Sequence, residues 1–462
     1  MRTLTLTMVG LISSTSICAC DLDELVPFPV EPVASVEELP GVWTQRGYAR
    51  VLEIGDARVT EYHVTGVSCV QTETRSIAEV DEAHERMEGN AHRFSWYELG
   101  HFTRADFERA GALPSHCRPA GEVRDAPSNF ASLWHLFDEN YAYFDERGID
   151  WPAVRDEQAG RLTPESSPEE LFAVVEDTLL PLADGHVWVW DGGSLGFLSG
   201  SMGELWNEWA VQYPGEPVTN PIDPRRDFIV DMRRHVVDEV LEGEGRSGLY
   251  DTLHWGWLAD GVGYLNVHEM GAPDAGDLPI PEMLVAIDEA MALVMADLAS
   301  ARKIVVDVRF NQGGRDTMGY AIAGWFTSES VLVSRKRAYD DGRWTPDQDV
   351  VVEPRGDRSF VGPVVLLTSR NTISAAETFT LAMRALPQVT TVGTRTYGAF
   401  SDVLVRTLPN GWLVGLSNEV YEDPEGGVFE VVGVPPDVAV EPVAGGDFAA
   451  SLRATLDTAV SL

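Results

Sequence analysis

The sequence predicts an α/β protein whose largest unit is a layered core of strands alternating with helices. Continuous apolar runs typical of buried strands, such as PVVLLTS at residues 363–369, alternate with amphipathic helical segments between residues 261 and 417. An earlier stretch rich in β-branched and aromatic residues predicts a separate, small β module. With 462 residues and 44% apolar content, the chain is long enough for two or three such units.

Residues 1–20 predict an export signal. Arg2 precedes a moderately apolar run, and small residues stand just before Cys20. The run ICAC at residues 17–20 resembles a bacterial lipobox, which implies that Cys20 carries a lipid as the first residue of the mature protein. An ordinary cleaved signal is the alternative. We therefore expect an exported protein of the periplasm or cell surface that meets a membrane only through a lipid anchor.

Residues 21–40 are acidic and proline-bearing without helical periodicity, and they predict a linker. Residues 41–120 form the predicted β module, because YARVLEI, RVTEYHV and SWYELGHF read as strands with a GDA turn between the first two. Cys69 and Cys117 are the only cysteines beyond the signal. In an oxidising compartment they predict a disulfide, with two buried free thiols as the alternative.

The composition excludes some partners. The formal net charge is −39, from 34 basic and 73 acidic residues, which disfavours nucleic acid and anionic lipid surfaces. Neither Cys69 nor Cys117 belongs to a cluster with the Cys/His spacing of a zinc site. Only two basic residues are lysines, Lys303 and Lys336.

Residues 121–185 predict a helical segment, since SNFASLWHLFDENYAYF and SPEELFAVVEDTLLPL place apolar residues at helical spacing. Residues 186–462 form the predicted α/β core. Its predicted strands are GVGYLNV, KIVVDVRF, PVVLLTS, VTTVG, VLVRTL and WLVGLS, and its predicted helices are PEMLVAIDEAMALVMADLA and AAETFTLAMRAL.

Three short stretches carry candidate chemistry. Ser374 lies at a predicted strand-to-helix turn, where helix N–H groups favour a developing oxyanion, but S-x-x-E is also a common capping box. DVRFNQGG, residues 307–314, ends in a turn without side chains that suits an oxyanion hole or a plain tight turn. His186 in LADGHV is a candidate general base or a structural histidine.

Taken in order, these stretches resemble the C-terminal processing peptidases and the tricorn-protease core, serine peptidases with a crotonase-like fold. The resemblance rests on DGHV at 184–187, DVRFNQGG, SAAE at 374–377, GTRTYG at 393–398 and FEVVGVPPDVAV at 429–440. It covers roughly residues 125–445 and implies a crotonase-like α/β peptidase core, preceded by the helical segment and the small β module.

The family divides by its catalytic base. Processing peptidases use a lysine directly after the T-[YF]-G triplet, where this sequence has Ala399. Lys303 begins a predicted strand and Lys336 lies on a predicted surface stretch, so neither replaces it. Tricorn-like members use a histidine and a glutamate, which match His186 and Glu430 here.

The resemblance therefore implies a Ser374 nucleophile, a His186 base and Glu430 near the imidazole, with no metal or cofactor. The implied oxyanion donors are the amide of Ala375 together with that of Gly313 or Gly314. Asp184 is expected only to shape its turn. Tricorn carries a serine just before the histidine, where this chain has Gly185, so the link from His186 to Glu430 stays open.

The expected function is an exported serine endopeptidase that hydrolyses peptides or unfolded envelope proteins. One alternative is a non-proteolytic binding module, because retinoid-binding members of the superfamily carry apolar ligands on this fold. Four tryptophans near the expected cleft favour it: Trp188, Trp190, Trp206 and Trp209. Another alternative is an esterase that uses the same residues. The loop GGSLGFLSG, residues 192–200, resembles a PDZ carboxylate loop without a full PDZ pattern around it.

Overall fold

The computed structural model describes residues 30–119, 125–200, 230–271, 278–440 and 448–462. The predicted signal segment with Cys20 lies outside this described part, as do Trp206 and Trp209. No helix within the described ranges is long and apolar enough to cross a membrane.

The N-terminal unit is a nine-stranded sheet with strand order β1-β6-β7-β8-β2-β3-β4-β5-β9. Its strands are β1 Glu31–Val33, β2 Gly41–Gln45, β3 Arg50–Ile54, β4 Arg58–Val64, β5 Cys69–Ser76, β6 His84–Gly89, β7 Arg93–Glu98, β8 Ala105–Ala110 and β9 Arg118–Pro119. One short helix, α1 Ile77–Glu82, connects β5 to β6. Alternating inward residues of these strands meet in an aromatic core that includes Trp43, Phe94, Trp96 and Phe107.

The predicted linker ends earlier than residue 40. β1 pairs antiparallel with β6, and the side chains of Val36 and Leu39 are buried in the sheet's core. The reason is that apolar residues at 33, 36 and 39 lie among the acidic ones and have a hydrophobic surface to cover. The structure also joins Cys69 to Cys117 in a disulfide.

The helical segment comprises α2 Ala126–Asn140, α3 Trp151–Gln158 and α4 Pro168–Leu179. α4 starts with a regular capping box, in which the Ser167 hydroxyl accepts from the Glu170 N–H at 3.3 Å and the Glu170 carboxylate accepts from the Ser167 N–H at 2.8 Å. The apolar faces of these helices share one core with strands from the second half of the chain.

The remaining strands are β10 Trp188–Trp190, β11 Gly196–Leu198, β12 Arg246–Gly248, β13 Leu253–Ala259, β14 Val262–Val267, β15 Lys303–Asp307, β16 Val331–Asp340, β17 Arg343–Trp344, β18 Gln348–Val352, β19 Val364–Thr368, β20 Val389–Gly393, β21 Val403–Thr407, β22 Leu413–Ser417, β23 Glu419–Glu422 and β24 Val438–Ala439. The later helices are α5 Ile280–Asp297, α6 Asp316–Ala323, α7 Ala375–Arg384 and α8 Phe448–Ser461. Short 3-10 turns occupy Val36–Glu38, Ala159–Arg161, Leu180–Leu182 and Gly324–Phe326, and a π-helical turn occupies His235–Val240.

The central sheet has seven strands in the order β12-β13-β14-β15-β19-β20-β24 and is parallel from β14 onward. Ile304 and Val306 pack on one face against helices α5, α6 and α7. Val305 packs on the other face with Leu452 of α8. Because both faces are covered, the strands are continuously apolar, which explains the sequence pattern.

Two small sheets flank the central one. The first, in the order β11-β10-β22-β21, packs against the helical segment and carries the loop before β10. The second is built around β16, which pairs with β17, β18 and β23. The candidate site lies where the ends of β15 and β19 meet the loops that lead to β10 and β21.

Candidate active site

Ser374 lies in the turn that connects β19 to α7. Its backbone has φ 58° and ψ −127°, whereas a residue that only caps a helix has an extended backbone. Ser167 shows the ordinary capping geometry, with φ −69° and ψ 163°. A non-glycine residue held at positive φ is strained, and such strain is concentrated at functional sites. The geometry favours a nucleophile over a simple cap at Ser374.

The turn after β15 packs directly against Ser374, and Asn311 fixes its shape. The Asn311 amide group donates to the Val267 carbonyl at 3.0 Å, and its Oδ1 accepts from the Gly313 N–H at 2.8 Å. The Asn311 backbone carbonyl accepts from the Ile373 N–H at 3.0 Å. Gly313 has φ 99°, and a Cβ there would lie 2.6 Å from the Ser374 Cβ, so glycine alone fits.

The three predicted oxyanion donors differ in this geometry. The Gly313 N–H is already engaged by the side chain of Asn311. Ala375 is the first residue of α7, where N–H groups have no partner within the helix. Gly314 has φ 137° and passes against the Met270 carbonyl too closely for any side chain. The arrangement favours Ala375 and Gly314 as the donor pair.

His186 lies in the loop before β10, and 7% of it is exposed. Asp184 holds this loop, because its Oδ1 accepts from the His186 N–H at 2.8 Å and its Oδ2 accepts from the Tyr141 hydroxyl at 2.8 Å. Arg147 Nη2 lies 3.3 Å from Asp184 Oδ2, and Arg147 Nη1 donates to the Ala183 carbonyl at 2.9 Å. Asp184 therefore does shape the turn, as expected, and fixes the backbone of His186.

The imidazole environment favours a neutral base. Burial lowers the pKa of His186 below its usual value, while the carboxylates of Asp184 and Asp402 and a backbone hydrogen bond with Ser401 oppose that shift. A neutral imidazole at neutral pH is the form that accepts a proton from a hydroxyl.

The segment from Gly398 to Ser401, called here the 398–401 strap, divides four successive amides between two buried carboxylates. The amides and their distances are Gly398 N–H to Glu377 Oε1 at 2.7 Å, Ala399 N–H to Glu377 Oε2 at 2.8 Å, Phe400 N–H to Glu430 Oε2 at 2.6 Å and Ser401 N–H to Glu430 Oε2 at 3.3 Å. The strap thereby links α7 to Glu430, and the backbone of Ser401 lies beside His186.

Glu430 does not hydrogen-bond His186 directly. Glu430 Oε1 lies 3.5 Å from Arg147 Nη2 and, like His186 Nδ1, has no hydrogen-bond partner within the described ranges. A Cβ on Gly185 would lie 3.1 Å from the ring of Tyr397, which fills the space beside this glycine. Burial and the nearby Asp184 raise the pKa of Glu430.

The expectation that Lys336 lies on the surface is wrong. Lys336 is buried in β16, and its Nζ lies 3.1 Å from both Asp402 Oδ2 and Glu419 Oε1. Burial alone would lower the pKa of Lys336, but these two carboxylates outweigh it and raise the pKa. Lys336 is therefore held as a cation and is not available as a base. Lys303 Nζ donates to the carbonyls of Ala459 and Val460 at 2.8 Å each.

Sequence reasoning missed three contributors to this site. Arg147 follows a helix and carries no motif, so no signal in one sequence marks it. In the sequence, Glu377 indicates only the end of a capping box. The strap amides are backbone groups within GTRTYGAFS, a stretch in which the sequence marks only Ala399, at the place of the family's lysine.

We expect the protein to lose stability as the pH rises from 6 to 8.5. Burial raises the pKa of Asp316 from 3.8 to about 8 and the pKa values of Glu377 and Glu419 from 4.5 to about 7. The folded state therefore binds protons that the unfolded state releases above pH ~4, and this stabilising contribution is lost as the pH passes 7 to 8. Melting temperatures across this range measure it.

The matched variant is Asp316→Asn, whose amide oxygen can accept from one of the two hydroxyls that bond Asp316, those of Thr378 and Tyr421, while its NH₂ group can donate to the other. Asp316→Asn should reduce the decrease in melting temperature between pH 6 and 8.5. Asp349→Asn, which changes an exposed ion pair with Arg335, should leave that pH dependence unchanged. A melting temperature that rises between pH 6 and 8.5 would contradict the expectation.

Comparison with known proteins is consistent with the motifs. Residues 261–440 match the model of Peptidase family S41, and residues 123–179 match that of the Tricorn protease C1 domain. The chain is 24% identical over 236 residues to the carboxy-terminal-processing protease of Bartonella bacilliformis, which covers 50% of this chain and 52% of that protein. It is 28% identical over 215 residues to the tricorn protease of Thermoplasma volcanium, covering 42% of this chain and 18% of that protein.

The same fold occurs in solved structures. A crystal structure of a Parabacteroides merdae ATCC 43184 protein superposes with a TM-score of 0.57 at 24% identity, covering 73% of this chain and 96% of that chain. Mature CPAF superposes with a TM-score of 0.51 at 12% identity, covering 72% of this chain and 95% of that one. These likenesses confirm the predicted α/β fold.

The fold and the two matched domains define a peptidase core of the S41 type. With a Peptidase family S41 domain and a Tricorn C1 domain, this chain fits the C-terminal processing peptidase family, which confirms the resemblance. It spans about half the length of the Bartonella bacilliformis relative and smaller shares of the others.

Proposed function

We propose that this protein is a serine endopeptidase that hydrolyses peptide bonds in peptides or unfolded proteins of the cell envelope. The observation that carries the proposal is the backbone of Ser374, which is strained at φ 58° beside the Asn311–Gly314 turn. A cap needs no such strain, whereas a nucleophile at a sharp strand-to-helix turn has its hydroxyl presented to substrate.

The proposed reaction starts with attack by Ser374 Oγ on the substrate carbonyl carbon. His186 accepts the hydroxyl proton and then donates it to the leaving amine, so an acyl-enzyme forms and water hydrolyses it in a second, equivalent step. The amides of Ala375 and Gly314 stabilise the oxyanion, and one such donor is typically worth ~10²–10³ in rate.

Glu430 acts in this proposal as a positioning residue. Its carboxylate accepts from the Phe400 and Ser401 amides, and the backbone of Ser401 lies beside the imidazole of His186. This path takes the place of the serine that tricorn carries before its histidine. The chain's own residues supply each of these functions, and the mechanism calls for no metal or cofactor.

We further propose that the protein works outside the cytoplasm, attached through lipid on Cys20. The disulfide between Cys69 and Cys117 supports an oxidising compartment. The lipobox-like ICAC run and the preceding apolar segment support export.

The test of the activity is incubation of the purified mature protein with unfolded casein and with a simple aryl ester. The proposal expects peptide fragments, detected by mass spectrometry, that disappear after treatment with diisopropyl fluorophosphate. Cleavage of the ester without any peptide cleavage would replace the peptidase by an esterase. If the folded protein cleaves neither substrate, the remaining alternative is a binding module for apolar ligands. Titration with a fluorescent apolar ligand tests that alternative.

A further inference from the structure

The residue Glu377 has more contacts than a helix cap requires. Its carboxylate accepts from the N–H of Ser374 at 3.2 Å, as in a capping box, and from two amides of the 398–401 strap, more than 20 positions along the chain. Its own N–H donates to the Ser374 carbonyl at 2.7 Å. The backbone of Ser374 is therefore held on both sides by Glu377.

Two other S-x-x-E boxes in the chain show what capping alone looks like. Glu79 and Glu170 are exposed. In their capping boxes Glu79 exchanges hydrogen bonds with Ser76, and Glu170 exchanges them with Ser167. Glu377 is fully buried. Burying a carboxylate is costly unless hydrogen bonds compensate it, and an exposed cap avoids that cost. The burial of Glu377 therefore indicates a function beyond starting α7.

We infer that Glu377 is a positioning residue for the reaction, because its carboxylate holds the Ser374 backbone and the 398–401 strap in one fixed arrangement. The inference rests on the proposed function. The second half of the strap binds Glu430 and contacts His186. Glu377 thus sets the distance between nucleophile and base, and the strained backbone of Ser374 persists because these contacts over-determine it.

An ionised carboxylate is suited to this position because it only accepts hydrogen bonds. Three N–H groups converge on its two oxygens, from Ser374, Gly398 and Ala399. Glutamine has nearly the same shape but presents an NH₂ group in place of one oxygen. In Glu377→Gln that group would face N–H donors, which moves the strap away from the nucleophile.

The test compares the kinetics of inactivation by a fluorophosphonate in wild type, Glu377→Gln and Glu170→Gln. The inference expects the inactivation rate constant of Glu377→Gln to fall by ~10- to 100-fold, the cost of misplacing a reacting group by about 1 Å. The reagent's half-saturation concentration should stay unchanged, because the binding surface is not altered. Glu170→Gln, which makes the same replacement in the exposed capping box of α4, should react like wild type.

The outcomes separate the two claims. A folded wild type that does not react contradicts the proposed function and the inference together. A reacting wild type with an equally fast Glu377→Gln overturns the inference alone. If Glu377→Gln has no cooperative melting transition, Glu377→Asp is measured instead, because it keeps the charge but shortens the reach by one methylene. A wild-type rate constant in that variant also overturns the inference.

Discussion

Ser374→Ala is expected to lower kcat for peptide hydrolysis by roughly 10⁶-fold, the effect measured when a serine-protease nucleophile is removed. The physical reason is that no other group at the turn can form the acyl-enzyme, because Gly313 and Ala375 beside it have no reactive side chain. Initial rates on a fluorogenic peptide, with wild type diluted to the same signal, measure the effect. The fold should be retained, since alanine removes one oxygen from a half-buried site.

Ser167→Ala is the matched control for this prediction, because Ser167 is the cap of an ordinary S-x-x-E box. Its replacement should cost about 1 kcal/mol of folding free energy and leave kcat unchanged. Peptide hydrolysis that persists in Ser374→Ala would show that this serine is only a cap.

His186→Ala is expected to reduce kcat almost as far, by ~10⁴-fold or more, because nucleophile and base act as one unit. Ser374 would then have to lose its proton to water, which is a far weaker base than imidazole. In wild type, burial lowers the pKa of His186 below 6.5, so the imidazole is neutral above that pH. We therefore expect protonation of His186 to lower kcat/KM only below about pH 6.5.

His84→Ala provides the comparison for the base. His84 is also buried with a pKa lowered by burial, but it lies in β6 of the N-terminal sheet. Its loss should lower the melting temperature and leave kcat intact. A His186→Ala variant with more than a tenth of wild-type kcat would contradict the assignment of the base.

Much of the fold follows from local patterns in the sequence. PVVLLTS is continuously apolar because β19 is covered on both faces, and the period of AAETFTLAMRAL matches α7 because one side of this helix packs on the sheet. The linker prediction failed at residues 31–40 because the acidic residues there conceal the apolar side chains that β1 and its turn bury.

The candidate site was predictable only where chemistry and motif coincide. Ser374, His186 and Glu430 lie in recognisable motifs, and the geometry of their loops is compatible with the predicted functions. Lys336 was misplaced because a strand with alternating charges reads as a surface, whereas two distant carboxylates hold this lysine inside. Long-range partners such as Arg147 are set by tertiary contacts, which one sequence does not reveal.

The 398–401 strap illustrates the same limit in backbone terms. Its function depends on four N–H groups that donate to two distant carboxylates. Glu377 is 21 residues from Gly398, and Glu430 is 30 residues from Phe400. No side chain in the strap indicates these hydrogen bonds. Ala399 shows only that the family's lysine is absent. The relation between nucleophile, base and strap follows from the fold.

The measurement that tests the central claim most directly is labelling of the folded wild-type protein with a fluorophosphonate, followed by mass spectrometry of its peptides. The account predicts one adduct, on Ser374, which is absent from Ser374→Ala and formed far more slowly in His186→Ala. A well-folded wild type that acquires no adduct, or acquires one on another serine at the same rate in all three proteins, would contradict it.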